Sequence, residues 1–205
     1  MIQCFNKRLI LASASPRRRE LLSLITDDFE IITREVDERS AEIEMEKNGT
    51  PALRVSEGLA LLKAKAVFDE LSEDEKKQVC VIGADTSVVV DDEIFGKPSD
   101  KADAVSMLTR LSGRVHVVAT GVCLITSEKI KCFTEETPVE FYELDQYQKD
   151  LIDRYCSSDE PYDKAGAYGI QGGGALLVKK IDGDFSNVVG LPVPRLAREI
   201  ETVIR

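Results

Sequence analysis

The sequence predicts one α/β domain over its 205 residues. A short apolar run at residues 8–12 is followed by two serines and a helical pattern, which gives the order strand, tight turn, helix. A longer apolar run at 79–90 is typical of a strand that is buried on both faces. Helical patterns at 50–71 and 100–111 separate the strands, and no linker rich in Pro, Gly or Ser divides the chain.

The first helix has an unusual charge at its start. Ser15 is a good N-cap and Pro16 suits the first helical position. The arginines at 17–19 then oppose the helix macrodipole, by roughly 0.3–1 kcal/mol each when they are exposed. Free backbone N–H groups and guanidinium groups together favour a bound phosphate or carboxylate. The alternative is that these arginines simply point into water, and both interpretations stay open here.

Residues 29–32 follow as a strand, and the charged residues 39–49, which lack a clear period, are predicted to form a mobile surface loop. A long helix then starts near residue 50. Lys63 and Lys65 interrupt its apolar middle. Each lysine could lie on a solvated face with its stem packed on the helix, or could reach across a cleft from among the neighbouring alanines.

The strand at 79–90 carries Gly83 and Asp85 near its centre. A glycine inside a strand indicates close approach of a ligand or of another backbone segment. An unpaired carboxylate there would be costly unless it bound a metal or a cation. Asp85 is therefore the first catalytic candidate, and a turn aspartate at a bend in the strand is the alternative.

The remaining elements alternate in type. In order, the sequence predicts a hairpin turn at 91–92, a helix at 100–111, a meander of strands at 115–126 and 129–143, a helix at 145–156, a strand at 175–181, a loop at 183–192 and a closing helix at 194–204. The segment 159–174 combines charged residues with glycines. Loops with this content usually serve binding or chemistry.

Composition limits the partners and the compartment. The 27 basic and 37 acidic residues give a net charge of −10, so the surface as a whole repels nucleic acid and anionic membranes. No stretch resembles a spanning helix or an export signal, and we expect a cytoplasmic protein. The five cysteines are scattered, which predicts reduced thiols rather than disulfides or a zinc site. His116, the only histidine, is predicted to be structural.

Several motifs follow one another in a specific order. They are SASPRR at 13–18, GADT at 83–86, GKP at 96–98, EP with DKAG and QG between 160 and 172, and VVGLP at 188–192. Over about residues 8–200 they resemble the Maf family of nucleoside triphosphate pyrophosphatases. The resemblance implies a mixed, twisted central sheet with flanking helices and two lobes around a cleft, similar to inosine triphosphate pyrophosphatases.

The resemblance also implies an activity. Family members hydrolyse nucleoside triphosphates to the monophosphate and pyrophosphate with a divalent metal, are commonly homodimers, and in some cases are linked to septum formation and cell-division arrest. By the same resemblance, Asp85 would accept the proton from the attacking water or bind the metal, which we expect to be Mg²⁺, Mn²⁺ or Co²⁺. Glu38 would be the second metal-site acid, with Asp37 as its alternative. The substrate-binding candidates are Ser13, Ser15, Arg17, Arg18, Lys63, Thr86, Lys97, Lys164 and Gln171.

Base selection in the family divides into branches. Arg17, Thr86 and Gln171 match the branch that acts on dTTP and UTP. A glutamine amide offers a donor and an acceptor, and can pair with the O4 and N3–H edge of uracil or thymine. CTP and modified pyrimidine nucleotides stay possible as further substrates in a role of cleaning nucleotide pools. Two alternative functions also stay open, a 7-methyl-GTP pyrophosphatase and a nucleotide-sensing protein of the division machinery.

Overall fold

The computed structural model describes residues 6–204, which hold a mixed seven-stranded sheet. Its strands are β1 (Arg8–Leu11), β2 (Phe29–Ile31), β3 (Val79–Val90), β4 (Glu93–Phe95), β5 (Val115–Ile125), β6 (Ile130–Phe141) and β7 (Val178–Ile181). They lie in the order β2-β1-β3-β5-β6-β7, and β4 also pairs with β3. Strand β1 is parallel to β2 and β3, whereas the other pairs are antiparallel. The predicted α/β class with a mixed central sheet is confirmed.

Helices cover both faces of this sheet. They are α1 (Pro16–Ser23), α2 (Glu38–Lys47), α3 (Ala52–Phe68), α4 (Glu73–Gln78), α5 (Lys101–Leu111), α6 (Gln146–Tyr155), α7 (Phe185–Val189) and α8 (Val193–Ile204), with 3₁₀ turns at Glu160–Asp163, Ala165–Ala167 and Gly173–Leu177. Apolar side chains of α1 and α8 pack on one face of β1, β3 and β5, and those of α3 pack on the other. Helices α5 and α6 cover the far ends of β3, β5 and β6.

Two glycines allow α3 to lie directly on the sheet. A Cβ atom at Gly83 would be 2.1 Å from the carbonyl oxygen of Ala60, and one at Gly121 would be 2.2 Å from the backbone nitrogen of Glu57. The interpretation of Gly83 as a point of close approach is confirmed, and the segment that approaches is the backbone of α3. This contact brings the middle of α3 next to the centre of β3.

Strand β3 has a gap along one edge. Strand β1 pairs with residues 79–82 of β3, and β4 pairs with residues 88–90 on the same side. Strand β5 pairs with residues 81–89 on the opposite side. Within the described chain, residues 83–87 therefore have a strand neighbour on one edge only. Asp85 lies at the centre of this gap, where the sheet changes from parallel to antiparallel pairing.

The prediction of a loop at 39–49 is wrong, because residues 38–47 form α2. Asp37 caps this helix and accepts a hydrogen bond of 3.0 Å from the backbone nitrogen of Ser40. The side chain of Met45 packs against α3, where a Cβ at Gly58 would meet its sulfur at 2.4 Å. No residue of α2 is fully buried. A helix with so little apolar surface gives a weak periodic signal in the sequence.

The C-terminal segment also differs from the prediction. Residues 185–189 of the predicted loop form α7, which Asp184 caps through a bond of 2.7 Å from the backbone nitrogen of Ser186. Strand β7 begins only at Val178, because residues 173–177 form a 3₁₀ turn. The hairpin turn at Asp91 and Asp92 is confirmed, with φ angles of 51° and 60°.

Two of the cysteines are not free thiols. Cys123 and Cys132 are direct partners across β5 and β6, with Cα atoms 4.1 Å apart, and form a disulfide. The prediction of reduced thiols is therefore wrong for this pair, because sequence spacing does not show cross-strand register. Cys80 and Cys156 are free and buried, and Cys4 lies outside the described residues.

His116 is structural, as predicted. It is buried between Phe141 and Tyr168, and its Nε2 lies 2.8 Å from the Tyr168 hydroxyl. Burial lowers the pKa of His116 to about 4. None of the described helices combines the length and the hydropathy that a membrane crossing requires. Most of the N-terminal segment 1–7 lies outside the described residues, and the extent of the domain stays a prediction.

Candidate active site

A cleft of about 510 Å³ opens at the gap in β3. Its walls come from the start of α1, the middle of α3, the segment 160–172 and the turn after α7. The cleft brings together all the candidate residues except Ser13: Ser15, Arg17, Arg18, Glu38, Lys63, Asp85, Thr86, Lys97, Lys164 and Gln171. Ser13 lies just behind the wall, with its hydroxyl 3.3 Å from a terminal nitrogen of Arg18.

Lys63 joins the two candidate acids. Its Nζ lies 2.6 Å from Oδ1 of Asp85 and 2.7 Å from Oε2 of Glu38. The side chains of Lys63 and Asp85 are 15% and 14% exposed, so water screens their contact only weakly. Asp85 is therefore a strand residue paired with a cation, and Lys63 reaches into the cleft rather than into bulk water. Lys65, in contrast, is exposed and lies outside this cleft.

The neighbouring acids Asp37 and Glu38 have different contacts. The carboxylate of Asp37 accepts bonds from both the backbone nitrogen and the hydroxyl of Ser40, and these bonds lower its pKa. Glu38 is the first residue of α2 and points its carboxylate at Lys63. Of these two neighbours, only Glu38 lines the cleft.

Arg18 is fixed through all three of its nitrogens. Its Nε donates to the carbonyl oxygen of Gly190 at 2.9 Å, and its terminal nitrogens donate to the hydroxyls of Ser13 at 3.3 Å and Thr86 at 3.1 Å. Burial lowers the pKa of Arg18, and the negative charges of Asp85 and Glu38 oppose this shift. A guanidinium stays charged under such conditions. The interpretation that the arginines point into water is wrong for Arg18.

A buried polar chain supports the Arg18 partner Thr86. The hydroxyls of Thr86 and Thr120 lie 3.0 Å apart, and Thr120 donates to the carbonyl oxygen of Asn187 at 3.1 Å. The amide of Asn187 donates to Val118 and Thr137 at 3.0 and 2.9 Å. Thr120 and Asn187 were not among the residues predicted from the sequence. A threonine and an asparagine inside otherwise apolar segments are the signal that could have found them.

The wall formed by the segment 160–172 carries further charges. Arg17 lies 3.5 Å from the carboxylate of Asp163, which also pairs with Lys164. Lys97 is exposed at the rim. Gln171 is exposed as well, and within residues 6–204 its side-chain amide has no hydrogen-bond partner. Asp163 belongs to the charged segment noted in the sequence but was not chosen as a candidate.

A third carboxylate lies close to this centre. Burial raises the pKa of Glu42, and the negative charges of Asp85 and Glu38 raise it further. Glu42 was missed because it falls in the segment predicted to be a loop. It follows Glu38 by one helical turn on α2.

Glu38 and Asp85 form a donor pair that fits a divalent metal. Carboxylate oxygens of Glu38 and Asp85 both lie within 2.7 Å of one ammonium nitrogen, so the two acids can share a single cation. Across residues 6–204 there is no group of three His, Cys, Asp or Glu side chains that could hold a metal alone. Mg²⁺ usually binds through one or two carboxylates together with substrate phosphates and water, and this set fits that pattern.

The family model described as Maf-like protein matches residues 8–203. The dTTP/UTP pyrophosphatase of Bacillus velezensis is 48% identical over 195 residues, which cover 95% of this chain and 96% of that protein. The proteins of the same name from Bacillus cytotoxicus and Bacillus cereus are 47% and 45% identical, each with 95% of both chains covered. The chain therefore belongs to the Maf family.

Proposed function

We propose that this protein hydrolyses dTTP and UTP to the nucleoside monophosphate and pyrophosphate, with a divalent metal. The names of its relatives support the substrates. The observation that carries the proposal is the contact of Asp85 with Lys63 and, through it, with Glu38 at the unpaired edge of β3. A carboxylate and a shared cation site, set among arginines and lysines, suit attack on a phosphate chain.

The triphosphate lies against the basic residues of the cleft in this proposal. Arg18 presents a guanidinium already oriented by three bonds, so little side-chain entropy is lost on binding. Arg17 and Lys164 release Asp163 and bind phosphate oxygens instead. Lys97 contacts the triphosphate from the rim of the cleft. The hydroxyl of Ser15 and the backbone N–H of Arg17 add donors at the start of α1, where the N–H of Arg18 already bonds to Ser15.

Asp85 accepts the proton of the attacking water. The water oxygen bonds to the α-phosphorus, the bond from that phosphorus to the bridging oxygen breaks, and pyrophosphate leaves. Lys63 fixes the Asp85 carboxylate at 2.6 Å and keeps its negative charge beside a cation. A divalent metal held by Glu38 and Asp85 would supply positive charge to the phosphates and stabilise the transition state. Mg²⁺ is the first choice, with Mn²⁺ or Co²⁺ as alternatives.

Gln171 reads the base in this proposal. Its amide has no protein partner within the described chain and faces the cleft, so its donor and acceptor are free for O4 and N3–H of uracil or thymine. Cytosine can use the same amide in its flipped orientation, which keeps CTP as a further substrate. The cytoplasmic location stays a prediction from the sequence composition, and the homodimer, the cleaning of nucleotide pools and the link to cell division stay predictions from the family resemblance.

Product analysis tests this function. The protein is incubated with Mg²⁺ and dTTP, UTP, CTP, ATP, GTP or 7-methyl-GTP, and the products are separated by chromatography. We expect monophosphate and pyrophosphate from dTTP and UTP. Diphosphate and phosphate would contradict attack at the α-phosphorus. Turnover of 7-methyl-GTP alone would favour the other branch, and saturable binding without turnover would favour a sensing role.

Asp85→Asn tests the assignment of the proton acceptor. We expect kcat to fall by roughly 10²–10⁴-fold, because an amide cannot take the proton from water. The matched control is Asp74→Asn on α4, where the carboxylate is 88% exposed and pairs with Lys77 in the same helix. Retained turnover in a folded Asp85→Asn variant would contradict the mechanism.

A further inference from the structure

The turn that carries Gln171 is held at both of its ends. At the first end, the backbone nitrogen of Gly169 donates to the hydroxyl of Tyr155 at 3.1 Å. At the second end, the backbone nitrogen of Gly173 donates to Oε2 of Glu160, also at 3.1 Å. The Tyr155 hydroxyl in turn donates to Oε1 of Glu160 at 3.4 Å. One hydroxyl and one carboxylate therefore hold both ends of the turn, and we call this pair the Tyr155–Glu160 clamp.

The backbone of the turn lies directly against the clamp. A Cβ atom at Gly172 would be 1.9 Å from Oε1 of Glu160, and one at Gly174 would be 3.0 Å from the Tyr155 hydroxyl. No side chain fits at Gly172 unless the carboxylate moves. The glycines after Gln171 thus permit a contact that fixes the backbone relative to Glu160.

The clamp is anchored on a rigid element. Tyr155 ends α6 and is only 6% exposed, within the apolar cluster formed by α5 and α6. Burial raises the pKa of Tyr155, and the charge of Glu160 raises it further, so the hydroxyl keeps its proton at neutral pH. That proton is the one donated to Glu160. The carbonyl oxygen of Glu160 is also held, by a bond from Nζ of Lys164.

Gln171 itself has no such support. Its side chain is exposed, and within the described residues it makes no hydrogen bond. The region that its amide can reach is therefore limited by the position of its backbone, which the clamp holds. A hydrogen bond weakens steeply when its angle or length departs from the optimum, so a shift of the turn removes base contacts without touching the phosphate-binding side chains.

We propose that Tyr155 and Glu160 are positioning residues that give Gln171 its ability to read the base. This inference rests on the proposed function, because it takes Gln171 as the group that contacts uracil or thymine. It adds that the base-reading residue depends on a two-residue support, in which Glu160 lines the cleft and Tyr155 lies behind it. Within residues 6–204, neither residue of the clamp makes a hydrogen bond to Asp85, Lys63 or Glu38.

A double-mutant cycle tests the clamp in the full chain. Calorimetry measures binding of the α,β-imido analogue of dUTP, which is not hydrolysed, and of inorganic tripolyphosphate, which has no base. The variants are Glu160→Ala, Gln171→Ala and the double variant. We expect Gln171→Ala to weaken binding of the dUTP analogue about tenfold in the wild-type background and less than about twofold in the Glu160→Ala background. Gln171→Ala should leave tripolyphosphate affinity unchanged, and Glu160→Ala, which removes a carboxylate from the cleft wall, should not weaken it.

Two further variants separate positioning from a general structural effect. Glu160→Gln keeps an oxygen that can accept from Gly173, so it should retain most of the base contribution. Tyr155→Phe keeps the buried ring and removes the hydroxyl, so it should lose the base contribution as Glu160→Ala does. Tyr155→Phe also provides the test if Glu160→Ala does not fold. Circular dichroism melting confirms that each variant is folded before binding is measured.

The outcomes distinguish the clamp from the function on which it rests. Equal loss of dUTP-analogue and tripolyphosphate affinity, or additive effects of Glu160→Ala and Gln171→Ala, would overturn the clamp. Wild-type protein that binds the dUTP analogue no more tightly than tripolyphosphate would instead overturn base reading by Gln171 and the proposed choice of substrate. Coupling in the cycle, without any loss of tripolyphosphate affinity, supports both.

Discussion

The contact between α3 and the sheet predicts a strong effect of the substitution Gly83→Ala. The new Cβ would lie 2.1 Å from the carbonyl oxygen of Ala60 and 2.8 Å from the Cβ of Ala64. Non-bonded heavy atoms approach ordinarily to roughly 3.5–4 Å. Because both neighbours are parts of α3 rather than flexible side-chain ends, the helix must move away from β3 by more than ~1 Å.

That movement has two separate consequences. Overpacking of a close contact costs about 1–3 kcal/mol in the free energy of unfolding. The same shift takes Nζ of Lys63, now 2.6 Å from Asp85, beyond hydrogen-bonding distance. A misplacement of about 1 Å at a catalytic group can cost ~10²-fold in rate, so we expect kcat for dTTP to fall by that order.

Urea unfolding and steady-state kinetics measure the two effects on the same preparation. Gly96→Ala is the matched control for unfolding, because a Cβ there has no heavy atom within 4 Å and Gly96 has no positive φ. Gly83→Ala should lower the urea midpoint of unfolding. The midpoint of Gly96→Ala should equal that of the wild type within experimental error. A Gly83→Ala variant with wild-type stability and full turnover would refute the argument that the glycine places Lys63 on Asp85.

Three further predictions concern single side chains. Arg18→Lys should lower kcat/KM by roughly 10–100-fold in steady-state assays, because one ammonium cannot replace the three oriented contacts of the guanidinium; unchanged kinetics would contradict its role. Gln171→Glu should raise KM for dTTP about tenfold with little change in kcat, since a carboxylate lacks the amide donor; an unchanged KM would place base reading elsewhere. For His116, the pKa in the folded protein is about 4, below the ordinary 6.5. Its contribution to the free energy of unfolding should therefore be complete above pH 6.5 and should be lost as the pH falls toward 4. The loss is roughly 3 kcal/mol, and urea unfolding of His116→Gln across this range should show a flatter pH dependence than the wild type.

Single residues with a strong physical signature could be predicted from the sequence. Asp85 was found because a charge inside a buried strand needs a partner, and that partner is Lys63. Gly83 was found because a glycine weakens a strand unless something lies close to it. In both cases the local cost was visible in the sequence, although the group that offsets it was not.

Features that depend on strand pairing could not be predicted in this way. The gap along β3 exists because β1 ends at Leu11 and β4 starts pairing only at Val88. The disulfide between Cys123 and Cys132 depends on the register of β5 and β6. Register depends on the turns and on the shared core, and the spacing of residues along one strand determines neither of them.

The charge of the cleft gives an independent reason to expect a divalent cation. Five basic side chains line it, Arg17, Arg18, Lys63, Lys97 and Lys164, against four carboxylates, Glu38, Asp85, Glu160 and Asp163. A triphosphate carries roughly four negative charges at neutral pH. A cleft with one excess positive charge, in a protein of net charge −10, leaves most of that charge uncompensated. One divalent cation at Glu38 and Asp85 would bring the bound complex close to neutrality, so nucleotide affinity in the absence of turnover should itself depend on the metal.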